Sequence, residues 1–380
     1  MFASERVRNF AYQALLLAAV IGLGWYLVSN TLHNLATRQI QVGFAFLSKE
    51  AGFEIAEKLI DYDASNSYGR AFLVGLANTL MVSVIGVLAA TVLGTLIGIA
   101  RLSSNWLLAK LSAWYVEVMR NIPLLLQLFV WYGIFTELLP PVREAISFGD
   151  WLFISQRGFR LAWLAPHAGW NYALWGLLLA AVIIALYRVA ARRRQNASGQ
   201  QWPLLWPSLA LLIVLPLFGW ALGGAPTTIE RPQLEGFDFQ GGKIISPEFA
   251  ALLLGLSTYT AAFIAEVVRA GILAVNKGQA EASMALGLSP TQRLRLITLP
   301  QALRVIIPPM TSQYLNLAKN SSLAVAIGYP DLVAIANTSM NQTGQAIEAI
   351  AILMAVYLTI SLSISALMNW YNSRVRLVER

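Results

Sequence analysis

A group of polar residues lies within an apolar stretch toward the C-terminal end of the chain: Asn316, Lys319, Asn320, Ser321 and Ser322. Polar side chains are costly inside a membrane, and where they occur they mark candidate functional positions. The ammonium of Lys319 could bind the carboxylate of a ligand or pair with a carboxylate elsewhere in the protein. A salt bridge between helices, or packing against backbone carbonyls, would explain the same lysine, and both interpretations are kept.

Glu266 and Arg269 form a second candidate group in another apolar stretch. Residues three apart lie on the same side of a helix, so these two side chains are close enough to pair. Structural pairing or closure of a gate is favoured over direct contact with a solute. Glu266 is also an internal carboxylate that Lys319 could reach.

Gln127, Tyr259 and Thr260 could line a polar pocket near the middle of the membrane. A buried glutamine equally often makes a hydrogen bond between helices, which is the competing interpretation. Pro123 and the pair Pro308-Pro309 interrupt helical hydrogen bonding, so the freed carbonyls can face a cavity or merely accompany a kink.

Catalysis and metal binding are not expected of this chain. It has no Cys and two His, which excludes disulfides, thiolate metal sites and iron–sulfur clusters. A His-Glu-x-x-His helix, a Gly-x-Ser-x-Gly turn and a catalytic pair of carboxylates within a span are all missing from the sequence. We therefore predict no enzyme activity, no metal site and no cofactor bound by the chain itself.

The composition predicts an all-α polytopic membrane protein. Hydrophobic residues make up 57% of the chain and charged residues 12%, whereas soluble domains carry roughly 25% charged residues. The apolar runs are continuous rather than alternating, which favours helices, and a span needs about 20 residues. Eight spans are predicted, at about 10–29, 71–99, 113–138, 172–190, 204–222, 248–273, 305–328 and 349–371.

The distribution of basic residues predicts that both termini are cytoplasmic. With that orientation 17 Lys and Arg lie inside and nine outside, as the positive-inside rule requires. The net charge of +8 is therefore mostly a topological signal, and no nucleic-acid partner is implied. The run Arg188, Arg192, Arg193 and Arg194 is interpreted as the cytoplasmic stop of the fourth span, with contact to lipid headgroups as a lesser possibility.

The cytoplasmic segment 274–304 is too long for a simple connection, so it is a candidate functional element. Good helix formers run from Gln279 to Leu286 and stop at Gly287, the residue type that best adopts the left-handed conformation after a helix. The pattern predicts a short helix followed by a tight glycine turn.

A second short helix is predicted after this turn. Ser289 is its N-cap, Pro290 its first residue, and Gln292 completes a capping box. Pro300 is expected to end or kink this helix at the return into the membrane.

The spacing in this segment resembles the cytoplasmic signature of permease subunits of ATP-binding-cassette (ABC) importers: Glu-Ala-Ala, three residues, Gly, nine residues, Ile, one residue, Leu-Pro. Every spacing matches, and Ser283 in place of the third Ala is the one departure. The matching residues are Glu281, Ala282, Ser283, Gly287, Ile297, Leu299 and Pro300.

The resemblance implies that this loop docks on a separate ATPase subunit and couples nucleotide binding to movement of the membrane helices. No Walker A motif is present: the passage from Gly236 to Lys243 has the wrong spacing and is followed by Ile244 where Ser or Thr must hold magnesium. ATP and Mg²⁺ are therefore expected on the partner ATPase.

Four further segments are similar to the polar amino-acid uptake branch of these permeases. They begin at Asn78, Tyr115, Tyr259 and Lys319. Gly43 to Leu47, with Tyr68-Gly69-Arg70, is similar to the larger general L-amino-acid permeases of Gram-negative bacteria. That resemblance implies a five-helix core formed by spans 2, 3, 6, 7 and 8, with three added helices.

The resulting expectation is an inner-membrane permease subunit that translocates L-amino acids from periplasm to cytoplasm by alternating access. Implied partners are ABC ATPase subunits, a periplasmic amino-acid-binding protein and a second permease subunit, with a heterodimer favoured. The competing hypothesis is a secondary carrier driven by an ion gradient.

Three domains are predicted. They are an anchor helix and periplasmic segment at 1–70, a permease domain at 71–371 with an inserted helix pair at about 172–222, and a cytoplasmic tail at 372–380.

Overall fold

The computed structural model describes residues 5–37 and 43–375. Of the cytoplasmic tail predicted at 372–380, residues 376–380 lie outside the described part. The chain divides into two compact units, one comprising Met1–Tyr132 with Glu248–Arg380 and the other comprising Gly133–Pro247. The domain boundaries predicted from the sequence differ from this division and stay a prediction.

The protein is a helical, multi-pass membrane protein, as predicted. Within the described residues six helices are long and apolar enough to cross a membrane, or eight if each of two bent helix pairs counts as one span. The number of crossings and the cytoplasmic location of the termini stay predictions. The six helices are α1 (Glu5–Thr37), α2 (Tyr68–Ala100), α5 (Gly169–Ser198), α6 (Leu205–Leu222), α7 (Pro247–Leu273) and α12 (Ala346–Val375).

The predicted third span is broken. It consists of α3 (Trp106–Asn121) and α4 (Leu124–Gly133), which continues as a π-helical turn at Ile134–Leu138, and the two parts are bent by 104°. Ile122, at the break, has an extended backbone because a residue before proline is sterically disfavoured in the helical region. Pro123 therefore breaks the span instead of merely kinking it.

The predicted seventh span is also longer and more bent than the sequence indicated. It begins with α10 (Leu299–Asn320), continues as a 3₁₀ helix at Ser321–Ile327, and is followed by α11 (Leu332–Thr343) at a bend of 52°. From the sequence, residues 329–347, between the predicted spans 305–328 and 349–371, are expected to be a polar stretch outside the membrane. In the structure Leu332, Ile335 and Ala336 of α11 are buried, because α11 packs against α2 and α12.

Close helix packing in the first unit depends on glycines. A Cβ at Gly94 would lie 2.7 Å from Cβ of Ile264 and 2.8 Å from the carbonyl oxygen of Ala261. A Cβ at Gly98 would lie 2.7 Å from the carbonyl oxygen of Ala265. The Gly-x-x-x-Gly spacing of α2 therefore lets the backbones of α2 and α7 come into direct contact.

Residues 43–67 form an ordered cap at one end of this unit. A 3₁₀ helix at Phe44–Ser48 leads into an irregular segment that precedes α2. Phe46, Ile55 and Tyr62 are buried together with Phe72 of α2 and Leu332 of α11. The segment is therefore part of the hydrophobic core of the unit and not a loose connection.

The second unit contains the helical hairpin of α5 and α6. Gly169 faces the backbone of Gly223, and Gly219 faces the backbone of Tyr172, with no room for a Cβ at either glycine. The two helices are therefore antiparallel and in direct backbone contact at the end where α5 begins.

The remainder of the second unit forms short antiparallel strands, which the sequence did not predict. Strands β1, β2, β3 and β8 form one sheet in that order, and β4–β5 and β6–β7 form two further pairs. The strands are β1 (Ile146–Phe148), β2 (Leu152–Ser155), β3 (Gly158–Leu161), β4 (Trp163–Leu164), β5 (Ile229–Glu230), β6 (Gln233–Glu235), β7 (Asp238–Gln240) and β8 (Lys243–Ile245).

Candidate functional site

The loop between α7 and α10 has the helix and the glycine turn that the sequence predicts. Helix α8 (Lys277–Ala285) begins after Asn276, whose side-chain oxygen accepts a hydrogen bond from the N–H of Gly278 at 2.8 Å. At its C-terminal end the N–H of Gly287 donates to the carbonyl of Met284 at 2.9 Å. Gly287 has φ of +76°, the left-handed conformation that glycine adopts without steric cost.

The capping box of the second short helix is also confirmed. Helix α9 (Pro290–Arg293) is capped by Ser289, which accepts from the N–H of Gln292, while the Gln292 side chain accepts from the N–H of Ser289 at 2.9 Å. The prediction for Pro300 is wrong in one respect, because the helix neither ends nor breaks there. A π-helical turn at Leu294–Thr298 precedes α10, and Pro300 lies in the first turn of α10, where its missing N–H is tolerated.

The residues that match the permease signature differ in their exposure. Glu281, Ala282, Gly287 and Leu299 are exposed, whereas Ile297 and Pro300 are half-buried. Ser283, the one departure from the signature, is buried, and its hydroxyl donates to the carbonyl of Ala280 at 2.7 Å. The serine therefore satisfies its own hydroxyl within α8 and leaves the outer surface of the loop unchanged.

The loop exposes several large apolar side chains beside charged ones. Leu286 is 80% exposed and Met284 53% exposed, and Leu294, Leu296 and Leu299 add further exposed apolar area. Lys277 and Glu281 are exposed in the same loop. Large apolar side chains exposed beside charged ones are a feature of surfaces that bind another protein.

Glu266 is held by two arginines near the start of this loop. It pairs with Arg269 three residues later on α7, at 3.5 Å between Nη2 and Oε1, as the sequence predicts. It also pairs with Arg101, which directly follows α2 and was not predicted. The Arg101 side chain is 12% exposed and that of Glu266 is 32% exposed, so the pair links the ends of α2 and α7 in a partly desolvated position.

Lys319 does not meet Glu266 in the structure. Across the described residues no ion pair of Lys319 is found, and the side chain is exposed near the end of α10. The neighbouring hydroxyls are used by the backbone: Ser321 donates to the carbonyl of Ala318 at 2.8 Å and Ser322 to that of Lys319 at 2.7 Å. Asn316 is exposed and Asn320 half-buried. In this polar group the amides of Asn316 and Asn320 and the ammonium of Lys319 are therefore available to a ligand, whereas the serine hydroxyls are already hydrogen-bonded to the backbone.

Gln127 has a structural role in the broken span. Its amide nitrogen donates to the carbonyls of Met119 and Ile122, each at 2.9 Å, which are among the carbonyls that the end of α3 leaves without helical partners. Its amide oxygen is buried and unpartnered. A structural hydrogen bond between helices, the competing interpretation of Gln127, therefore explains its amide nitrogen but not its amide oxygen.

The remaining candidates do not line the apolar cavity found in the first unit. Thr260 is buried, and the Tyr259 ring packs on Phe263 with 5.0 Å between ring centroids. A cavity of about 620 Å³ lies between α2, α10 and α12, and it is apolar. None of the predicted path residues lines this cavity, whose walls include Leu80, Ser83, Tyr314, Thr359 and Met368.

A polytopic helical bundle with two broken spans and an exposed helix–glycine–helix loop defines a membrane component of a transport system. Residues 201–377 match the family described as the binding-protein-dependent transport system inner membrane component. Full-length relatives agree with this match, and the chain belongs to that family.

Three curated relatives match almost the whole chain. YhdX of Escherichia coli (strain K12), named as an amino-acid ABC transporter permease, is 51% identical over 385 residues, covering 100% of this chain and 97% of YhdX. The general L-amino acid transport system permease protein AapQ of Rhizobium johnstonii is 47% identical over 377 residues, covering 99% and 94% of the two chains. BztB of Rhodobacter capsulatus, named as a glutamate/glutamine/aspartate/asparagine transport system permease protein, is 42% identical over 410 residues, covering 99% and 95%.

A solved structure described as an amino acid ABC transporter with histidines matches at 20% identity and a TM-score of 0.47, covering 81% of this chain and 95% of that one. The sequence relatives alone decide between the two hypotheses. The chain is a permease subunit of an ABC transporter and not an ion-driven secondary carrier.

Proposed function

We propose that this permease subunit translocates L-amino acids into the cytoplasm as part of an ATP-driven importer that works by alternating access. The observation that carries the proposal is the loop of α8, Gly287 and α9, which is folded, is hydrogen-bonded at its helix ends and exposes the apolar side chains of Met284 and Leu286. The names of the relatives support the substrate class, because three of them specify amino acids or amino-acid transport.

The proposed partners follow from the family and from what the chain lacks. ATP and Mg²⁺ bind to separate ABC ATPase subunits, since the sequence has no Walker A motif. A periplasmic amino-acid-binding protein delivers the substrate, and a second permease subunit completes the pathway, with a heterodimer favoured over a homodimer. The assembly resides in the bilayer of the bacterial inner membrane.

The proposed coupling path runs from the loop into α7 and α10. Helix α8 begins four residues after α7 ends, at Lys277 after Leu273, and α9 leads through the π-helical turn directly into α10. Gly271 of α7 faces Ile306 of α10 with no room for a Cβ between them. Because close-packed helices resist separation, force applied to the loop is expected to move α7 and α10 together.

Movement of α7 would act on the ion pairs of Glu266. The carboxylate is shared between Arg269 on the same helix and Arg101 at the end of α2. Because Gly94 and Gly98 also hold α2 in backbone contact with α7, we propose Glu266, Arg269 and Arg101 as a gate-stabilising group that keeps the ends of α2 and α7 together. The proposed coupling-loop residues are Glu281, Ala282, Ser283, Gly287, Ile297, Leu299 and Pro300, of which Glu281, Ala282, Gly287 and Leu299 are exposed and available for docking.

The substrate path is proposed to pass the exposed polar end of α10. Lys319, which forms no salt bridge within the described residues, offers an ammonium for the carboxylate that all amino acids carry, and Asn316 and Asn320 can accept or donate hydrogen bonds beside it. Tyr259, Thr260 and the free amide oxygen of Gln127 are the remaining polar candidates, together with Ser321 and Ser322.

The proposal is tested by ATP-dependent uptake of labelled amino acids into proteoliposomes that contain the assembled complex. Leu286→Asp replaces an exposed apolar side chain of the loop by a charge without removing an internal contact, since Leu286 is 80% exposed. We expect loss of uptake with unchanged affinity of the binding protein for substrate. Ser104→Asp introduces the same charge at another exposed turn and should leave uptake intact.

Two results would contradict the proposal. Uptake that is equal in Leu286→Asp and the unaltered complex would exclude the loop as the coupling surface. Uptake that is ATP-dependent but selective for solutes other than amino acids would leave the coupling in place and exclude the substrate class.

A further inference from the structure

The turn between α5 and α6, residues 187–204, is strongly basic, and we call it the basic turn. It contains Arg188, Arg192, Arg193 and Arg194, and residues 151–229 as a whole contain no Asp or Glu. All four arginines are exposed, and within the described residues none of them forms a salt bridge. The hairpin therefore carries a concentrated positive charge that nothing in its own unit neutralises.

The lengths of the two helices place this charge at the membrane boundary. Helix α5 has 30 residues and α6 has 18, which correspond to about 45 Å and about 27 Å at the rise of an α-helix. The helices are in backbone contact where α5 begins, at Gly169 and Gly223. Since the hydrocarbon core is about 30 Å thick, the last three turns of α5 extend beyond it, and these turns carry the arginines.

A pair of aromatic rings marks the boundary itself. Tyr187 and Trp202 stack with 5.6 Å between ring centroids and an interplanar angle of 19°, and the Tyr187 hydroxyl donates to the carbonyl of Pro203 at 3.0 Å. Tyrosine and tryptophan are enriched at the level of lipid headgroups. The rings lie opposite each other where α5 leaves the predicted hydrocarbon layer and α6 enters it.

The basic turn is folded rather than loose. The Arg194 guanidinium lies over the Trp202 ring at 5.1 Å and donates to the side-chain oxygen of Gln200 at 3.2 Å. Gly199 ends α5 in the left-handed conformation, and its N–H donates to the carbonyl of Gln195 at 2.9 Å. These contacts fix Arg194 and the aromatic pair, and they leave Arg188, Arg192 and Arg193 available to a ligand.

We infer that the basic turn is a binding site for the phosphate headgroups of anionic lipids. Guanidinium groups bind phosphate oxygens through paired hydrogen bonds, and exposed basic residues beside a span attract anionic headgroups. The Tyr187–Trp202 pair sets the depth of the site in the bilayer. Arg194 holds this pair in place because its guanidinium packs on the Trp202 ring. This site uses none of the residues assigned to the coupling loop and does not depend on the transported substrate.

The site is tested by native mass spectrometry of the purified complex titrated with phosphatidylglycerol or with phosphatidylcholine of the same acyl chains. We expect tighter retention of phosphatidylglycerol, and a loss of affinity of about fivefold for each of Arg192→Gln and Arg193→Gln. Lys110→Gln removes an exposed charge on α3 and should have no effect. Trp202→Ala should weaken binding, whereas Trp206→Ala, at a residue that is 75% exposed, should not.

Several outcomes would overturn the inference. Equal retention of the two lipids by the unaltered complex would do so, as would an equal loss in Lys110→Gln and Arg192→Gln. Competition by inorganic phosphate at the lipid concentration would identify a site for free phosphate and not for lipid. If Arg192→Gln fails to assemble, Arg192→Lys provides the second measurement. This variant keeps the positive charge but loses the guanidinium group, so weaker binding of phosphatidylglycerol would indicate recognition by the guanidinium, and unchanged binding would indicate attraction by charge alone.

Discussion

The side-chain amide of Gln127 donates to the carbonyl of Met119, 2.9 Å away, across the break between α3 and α4. A carbonyl at a helix end inside a membrane cannot be satisfied by bulk water, so a side chain that reaches it stabilises the break. Gln127 thereby allows a bend of 104° in a span that the sequence predicted as continuous.

Replacing Gln127 by Leu should destabilise the complex, because the partly buried carbonyls of Met119 and Ile122 would lose their donor. The expected cost is about 1–3 kcal/mol, measured as a lower midpoint of thermal unfolding in detergent. Leu126→Ala, at an exposed neighbouring position, should cost less than about 0.5 kcal/mol. A changed substrate preference at unchanged thermal stability would show instead that Gln127 serves the pathway rather than the bend.

The pair of Arg101 and Glu266 should contribute more than the pair of Glu266 and Arg269. The first joins two helices and is partly buried, and we expect a coupling energy of about 1–3 kcal/mol from a double-mutant cycle with Arg101→Gln and Glu266→Gln. The second lies within one helix, and the corresponding cycle with Arg269→Gln should give about 0.3–0.5 kcal/mol. The prediction fails if the two cycles give equal coupling energies for unfolding.

Substitutions of Gly287 should follow the tolerance of each residue for positive φ. No atom lies within 4 Å of a Cβ built at this position, so the cost of Gly287→Ala is conformational, about 1–2 kcal/mol. Asn tolerates the left-handed region, and Gly287→Asn should therefore retain more ATP-dependent uptake than Gly287→Ala. The opposite order would mean that the size of the side chain at the docked surface, and not the backbone, limits uptake.

Adding a methyl group at Gly94 should disrupt the contact of α2 with α7. The new Cβ would lie 2.7 Å from Cβ of Ile264, and such overpacking costs about 1–3 kcal/mol. Gly24→Ala in α1 is the matched control, because no atom lies within 4 Å of a Cβ there. The thermal unfolding midpoint should fall for Gly94→Ala and stay level or rise for Gly24→Ala.

Local sequence patterns predicted the coupling loop well. Ser289, Pro290 and Gln292 specify a capped helix start within four residues, and Gly287 specifies the preceding turn, because each interaction joins near neighbours in the chain. The apolar runs likewise predicted the membrane helices, since the bilayer imposes length and composition on every span.

Local sequence patterns could not predict interactions between segments that are distant in the chain. Arg101 and Glu266 are 165 residues apart, and a basic residue after a span indicates orientation rather than a specific partner. The burial of α11 depends on its packing against α2 and α12, which its own polar composition does not indicate. The strands of the second unit are two to four residues long, too short to give a recognisable alternation.

The hydrogen-bonded ends of α8 and α9 have a kinetic consequence for assembly. Asn276, Gly287 and the Ser289 capping box hold the ends of the two short helices through internal hydrogen bonds, so the loop is folded before it docks. A surface that is already folded loses little conformational entropy when it binds. Association with an ATPase subunit should therefore proceed in a single bimolecular phase whose rate depends weakly on temperature, without a slower folding step after encounter.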